Sequence, residues 1–358
     1  MDAQLQKRPM FWPGAPMALA SAALFGASTP LAKLLLGAGV DPWLLAGLFY
    51  LGSGLGLGVI HLSRGALGIP ALEAPLQRGD LPWLALVVLT GGVVGPVLLM
   101  VGLNHTPASS AALLLNLEGV ATMAIAWIVF KENVDRRLLI GAAAILGGAV
   151  LLSWRGGPQG IGPGTLAIAG ACAAWGIDNN LTRKLSSADP VQITAVKGIV
   201  AGVVNLTLAF IRGAQPPPLD SLIGSGIVGF FGYGVSLVLF VLALRHLGAA
   251  RTGAYFSTAP FLAAALALAL FREPITAQLV GAGLLMAIGV YLHLTERHEH
   301  EHDHLPLDHQ HRHIHDEHHQ HAHSRLDPPG EPHTHWHHHT AMRHKHPHYP
   351  DLHHKHSH

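Results

Sequence analysis

Ten long apolar stretches constrain this chain more than any other feature: 14–36, 42–62, 81–103, 108–130, 136–153, 163–184, 190–211, 221–244, 250–271 and 275–294. A helix needs ~20 apolar residues to cross the hydrocarbon core of a bilayer. The charge count points the same way. Residues 1–292 hold 16 Lys/Arg and 11 Asp/Glu, about 9% of that length, against ~25% for a soluble domain. So few charges cannot coat a globular surface, which argues against a cytosolic enzyme. The single cysteine, Cys172, rules out a disulfide framework or thiolate cluster within one chain. A net charge of +1 gives no reason to expect nucleic acid as a partner.

The joints between stretches read as helix starts. Asp41-Pro42, Asp80-Leu81-Pro82, Asp189-Pro190 and Glu273-Pro274 each combine an acid with a proline. The acid favours the positive helix end, and proline lacks only an N–H that would be orphaned anyway. Lys131 to Arg137 is too charged to lie in lipid and separates the fourth stretch from the fifth. The first stretch follows Lys7 and Arg8 but is longer than a signal core of ~7–15 residues, so it is expected to be a retained helix. With the N-terminus inside, eleven basic loop residues fall inside (Lys7, Arg8, Arg64, Arg78, Lys131, Arg136, Arg137, Arg183, Lys184, Arg245, Arg251) and three outside (Arg155, Arg212, Arg272). That bias places both termini in the cytoplasm of a multi-pass protein of the cytoplasmic membrane.

The chain also repeats itself. Phe130-Lys131-Glu132 returns 141 positions later as Phe271-Arg272-Glu273, with His105 and Gly148 meeting His246 and Gly289 at the same offset. Phe25-Gly26 pairs with Trp175-Gly176 at offset 150, and Arg64-Gly65-Ala66 with Arg212-Gly213-Ala214 at offset 148. Five helices per repeat is an odd number, so the second copy enters the membrane upside down, a recurrent build of secondary transporters. The expected fold is therefore an all-α membrane protein of ten transmembrane helices in two inverted five-helix repeats, plus a disordered His-rich tail. Its parts are a cytoplasmic N-terminus over 1–13, a first repeat over 14–153, a linker over 154–162, a second repeat over 163–294 and the tail over 295–358.

On Leu24-Phe25-Gly26 with Pro30, Trp175-Gly176 with Asn180, and the repeat ends from Lys131-Glu132 to Gly148 and from Arg272-Glu273-Pro274 to Gly289, the chain resembles the EamA-type family of the drug/metabolite transporter superfamily. The resemblance covers residues 14–294. It implies ten helices, cytoplasmic termini, two EamA domains and transport of a small organic solute. The family often carries proline in the fourth and ninth helices. Pro260 fits, but the first repeat has Gly119, preceded by Glu118.

Ionisable groups in mid-membrane are functional candidates by default. Glu118 stands ten residues into the fourth stretch, about 15 Å deep, among Leu113, Leu114, Leu115 and Val120. It is a candidate to bind a cationic group or to carry a coupling proton, or else a structural carboxyl bonded to a neighbouring helix. Asp178 and Lys197 lie at matching depth, roughly 9–11 Å from the cytoplasmic boundary, on successive helices. They invite a salt bridge, either a static one or a gate. Asn116, Asn179 and Asn180 offer amides to a substrate; Trp175 and Tyr255 either wall a cavity or pack. Lys33 is expected to snorkel to the interface. Glycines in the second and eighth helices allow close approach, and Pro30, Pro96 and Pro260 are expected to interrupt their helices.

The tail from His293 onward holds 25 of the 28 histidines. It has no apolar period, and Pro328-Pro329-Gly330 breaks any helix, so disorder without metal is expected. Imidazole is a borderline ligand for Zn, Ni, Co or Cu. The candidate ligands are His298, His300, His302, His304, His309, His311, His313, His315, His318, His319, His321 and His323. The expected function is secondary transport of a small organic metabolite or drug-like solute by alternating access, with a metal-binding tail. The alternatives are a transition-metal or metal-chelate transporter, or a metal-responsive sensor without flux. The expected partners are a small-molecule substrate, the lipid bilayer and metal ions, with no required cofactor, in a monomer or homodimer.

Overall fold

The computed structural model describes residues 14–67, 76–130, 134–154, 161–182, 185, 188–295, 299–304, 307–313, 333–339 and 342–347. The described residues between 14 and 295 are built mainly from helices. The first repeat contains α1 (Gly14–Gly37), α2 (Pro42–Ala66), α3 (Leu81–Val87), α4 (Gly95–Asn104), α5 (Ala108–Leu114), α6 (Leu117–Phe130) and α7 (Arg136–Ser153). The second contains α8 (Pro163–Thr182), α9 (Pro190–Ile211), α10 (Leu219–Gly229), α11 (Ser236–Phe256), α12 (Ala259–Phe271) and α13 (Ala277–Leu294). The caps follow from local chemistry. Asp41 accepts from the backbone of Trp43 and Leu44 at 2.9 and 3.1 Å, and Asp189 from Val191 at 2.8 Å. Glu273 departs from its expected role: Thr276 caps α13, and Glu273 reaches across to α5 instead.

Eight helical stretches among the described residues are long and apolar enough to cross a membrane. The two other expected crossings fall short for physical reasons. Pro163–Thr182 carries Asp178, Asn179 and Asn180, which dilute its apolarity. The ninth stretch is divided, leaving the 13-residue Ala259–Phe271.

Helix irregularities occur in matched pairs. The third crossing of the first repeat contains a π-helical segment, Val88–Val94, and its counterpart contains another, Phe230–Val235. The fourth crossing breaks at Leu115-Asn116, and its counterpart at Ser257-Thr258. At each break a side chain bonds the carbonyl three residues back: Asn116 Nδ2 donates to Leu113 O at 2.8 Å, and Thr258 Oγ1 to Tyr255 O at 2.6 Å. Pro260 stands just after the second break and Pro96 just after the first π segment. Pro30 does not interrupt its helix as expected; α1 continues through it to Gly37.

Packing obeys the same symmetry. Equivalent helices meet, α2 with α9 and α7 with α13, while α1 packs on α11 and α12 much as α8 packs on α4 and α6. Close approach requires glycine at both equivalent crossings. A Cβ on Gly198 would stand 2.6 Å from Gly54 Cα, and one on Gly141 would stand 2.9 Å from Gly289 O. With no hydrophobic drive between helices in lipid, such backbone approach is what holds them together.

The tail contributes four short described segments. Strands β1 (Glu299–His304) and β4 (Met342–Pro347) pair antiparallel, as do β2 (Leu307–His313) and β3 (His333–His339). Their alternating sequence has the period of a strand.

Candidate functional site

The break in the fourth crossing positions Glu118 in the first turn of α6. Its Oε1 accepts from Asn179 Nδ2 on α8 at 2.9 Å, and the same amide donates to Thr122 Oγ1 at 3.2 Å. Asn180 Nδ2 donates to Thr122 O at 3.1 Å and to Gly176 O at 2.8 Å. Gly176 permits this contact: a Cβ there would stand 2.9 Å from Thr122 N. The Glu118 side chain is half-buried. Among the described residues it has no ion-pair partner.

Asp178 and Lys197 form a buried ion pair, Nζ to Oδ2 at 2.6 Å, and Thr182 Oγ1 donates to the other carboxylate oxygen at 3.2 Å. The pairing inferred from equal depth on successive helices is therefore present. The first π segment makes room for it. Gly91 lies against the Asp178 carboxylate, where any side chain would collide, and Gly92 lies against Ala201. Gly91 O accepts from Tyr50 OH at 2.6 Å and Trp175 Nε1 at 3.1 Å, and Gly92 O accepts from Asn205 Nδ2 at 2.9 Å. Helices α2, α8 and α9 thus each fasten the segment.

Trp175 is buried, with its ring edge-on to Phe25 at 6.4 Å. Tyr233 is stacked among Phe25, Phe49 and Tyr50 at 5.3–5.8 Å. Tyr255 stands half-buried at the second break, and its neighbour Phe256 is the ring that joins Phe25, at 5.5 Å. Asn116 is buried and bonded within the first break. The structure therefore brings Glu118, Asn179, Asn180, Asp178, Lys197 and Trp175 together along α8 and its neighbours. Lys33 Nζ donates to Leu103 O and, at 3.0 Å, to Thr106 O, closing the carbonyl end of α4. Sequence reasoning missed Tyr50, Thr122, Tyr233 and Asn205. The glycine pair 91–92 and the lone amide of Asn205 within apolar stretches were the available signals.

Of the tail histidines singled out, His298, His315, His318, His319, His321 and His323 lie outside the described residues; His300, His302 and His304 fall on β1, and His309, His311 and His313 on β2.

This arrangement defines a class of protein: a polytopic membrane protein of two pseudo-symmetric halves, with broken helices and charged groups enclosed between them. The sequence pattern of the EamA-like transporter family matches residues 12–154 and 162–295, and the chain belongs to that family. An uncharacterized transporter of Methanothermobacter thermautotrophicus is 31% identical over 62% of this chain, and the match spans 66% of that relative, just under two thirds. A protein of Streptantibioticus cattleyicolor named "Probable terminal-alkyne amino-acid exporter" is 26% identical over 67% of this chain and 83% of its own length. A solved crystal structure superposes with a TM-score of 0.58 at 20% identity, covering 78% of this chain and 94% of the other, and so shares the fold.

Proposed function

We propose that the protein is a secondary transporter that carries a small organic solute across the cytoplasmic membrane by alternating access, with Glu118 as the group that binds a substrate cation or a coupling proton. One observation carries this reading. A half-buried carboxylate stands just past a helix break, held by Asn179 and without an ion-pair partner among the described residues. The nearby acid Asp178, by contrast, is neutralised by Lys197. A carboxylate left so is a receptor for a positive charge that comes and goes. The amino-acid exporter among the relatives supports an amine-bearing metabolite as cargo. On this reading Asn179 and Asn180 orient the polar face of the site, and Trp175 and Tyr255 belong to its walls.

The test is flux in proteoliposomes with a panel of amines, amino acids and neutral metabolites, under and without a proton gradient, for the native protein and Glu118→Gln. Loss of flux or of its proton dependence is expected. Unchanged flux and unchanged pH response in the variant would remove Glu118 from the mechanism.

The basic-loop bias supports cytoplasmic termini, and the histidine content supports a tail that binds Zn, Ni, Co or Cu. A metal or metal-chelate cargo, or a sensor without flux, is the second reading that the tail favours. Among the described residues no group of three His, Cys, Asp or Glu stands where it could hold a metal. Deleting residues 296–358 separates these readings: solute flux that survives deletion supports an organic cargo, and metal flux lost with the tail supports the alternative.

A further inference from the structure

The contact between Glu273 and α5 joins the two repeats at one end of the bundle. Glu273 Oε1 accepts from Ala108 N at 2.8 Å and Oε2 from Ser109 N at 3.1 Å, while Ser109 Oγ also donates to Oε2. Lys33 closes the carbonyl end of α4 next to it, so both faces of the α4–α5 joint are capped by charged side chains from other elements. A negative charge on the free amides and a positive charge on the free carbonyls each suit the helix dipole.

Two further observations bear on this contact. Arg272, directly before Glu273, has left-handed backbone (φ 50), the one such non-glycine residue among those described. That conformation is unfavourable for a side-chain-bearing residue and persists where surroundings enforce it, often at switch points. The second difference lies in the other repeat. Its counterpart of the α4–α5 joint has no break: α11 runs as continuous helix from Ser236 to Phe256, and so presents no free amide end there. The two halves have the same pattern in sequence, including Glu132 as the counterpart of Glu273, although residues 131–133 lie outside the described ones. Among the described residues the joint is broken in the first repeat, where Glu273 caps it, and continuous helix in the second.

We propose that Glu273 is a gate latch: it clamps the α12–α13 joint of the second repeat onto the α4–α5 joint of the first while that mouth of the transport path is shut, and it releases when the mouth opens. This rests on the alternating-access reading above. Arg272 is the sprung element, since releasing Glu273 lets its backbone leave the left-handed region.

The test uses full-length protein in right-side-out and inside-out vesicles, with Cys172→Ser to remove the native thiol and Ala112→Cys as reporter on α5, one turn inside the latch. The reagent is a membrane-impermeant maleimide. Glu273→Ala is expected to speed labelling about tenfold from the latch side alone, Glu273→Asp to restore part of the protection, and Arg272→Gly to slow labelling several-fold because glycine takes the left-handed conformation freely. Should Glu273→Ala fail to fold, a Ser109→Cys/Glu273→Cys pair bridged by a short bifunctional thiol reagent replaces it. Bridging is expected to abolish reporter labelling from that side, and cleaving the bridge to restore it. Labelling that is the same with and without Glu273, or with and without the bridge, overturns the latch. Solute flux through protein with Glu273 intact that rises linearly with concentration and never saturates, as through an open pore, overturns alternating access itself.

Discussion

At the residue scale, the two acids of α8 and α6 have opposite fates. Asp178 is matched by Lys197 at 2.6 Å with both side chains about nine-tenths buried. Removing one member of such a pair strands a charge away from water and costs about 3–5 kcal/mol. Asp178→Asn is therefore expected to lower the thermal midpoint in detergent sharply, and the exchanged pair Asp178→Lys/Lys197→Asp to recover a substantial part of the loss. A swapped protein no better than the single variant would show that the pairing itself contributes little. Among the described residues Glu118 has one side-chain donor, Asn179. If it holds an ammonium group, Glu118→Gln loses a charged hydrogen bond of about 1.5–3 kcal/mol, a loss of roughly ten- to a hundredfold in apparent affinity. Substrate-concentration dependence of flux, measured on folded protein, checks this.

At the scale of elements, the telling features are the irregular ones. The π segments and the breaks recur at equivalent positions of the two repeats. Proline explains only part of this. Pro260 follows the second break, but the first forms without a proline, with Asn116 taking the Leu113 carbonyl. Asn116→Leu should therefore straighten the joint between α5 and α6, shift Glu118 away from Asn179 and reduce flux with little loss of stability. Hydrogen exchange across residues 113–118 would detect a restored helix as slower exchange, and unchanged exchange would refute the role given to the amide. The α2–α9 crossing depends on absence of side chains. Gly198→Leu places a branched chain against the Gly54 backbone, and overpacking of this kind costs about 1–3 kcal/mol or more. A melting temperature equal to that of the native protein would show that the helices separate without penalty.

For the whole molecule, the order and duplication of the apolar helices were legible in the sequence because lipid imposes a simple rule: long apolar runs must be helices, and charged joints must lie outside. The same rule explains what was illegible. The break of the ninth stretch at Ser257-Thr258 falls just before Pro260, where an interruption is expected, but the matching break at Leu115-Asn116 has no proline and lies among leucines, so apolar content cannot reveal it. Nor does it tell which charge pairs with which. Equal depth identified Asp178 and Lys197, since successive helices are neighbours. The partnership of Glu273 with Ala108 and Ser109 spans 164–165 positions and passes between repeats, so no local pattern announces it. The tail belongs to this scale too. Because the core of the helical bundle is drawn, among the described residues, from positions 25–290, removal of 296–358 is expected to leave the thermal midpoint of the bundle within a degree or two while abolishing binding of Zn or Ni; a large drop in stability would tie the tail to the bundle.

The amino-acid sequence by itself determined that the chain lives in a membrane, that it is written twice, and where most helices begin, because hydropathy, capping and proline chemistry all act over a few residues. Only the tertiary structure decided that Glu118 meets Asn179, that Gly91 makes room for Asp178, and that Glu273 leaves its own helix to cap another. Those contacts depend on which helix faces meet across the bundle. Packing settles that, since side chains in lipid gain little from merely being buried and much from fitting closely.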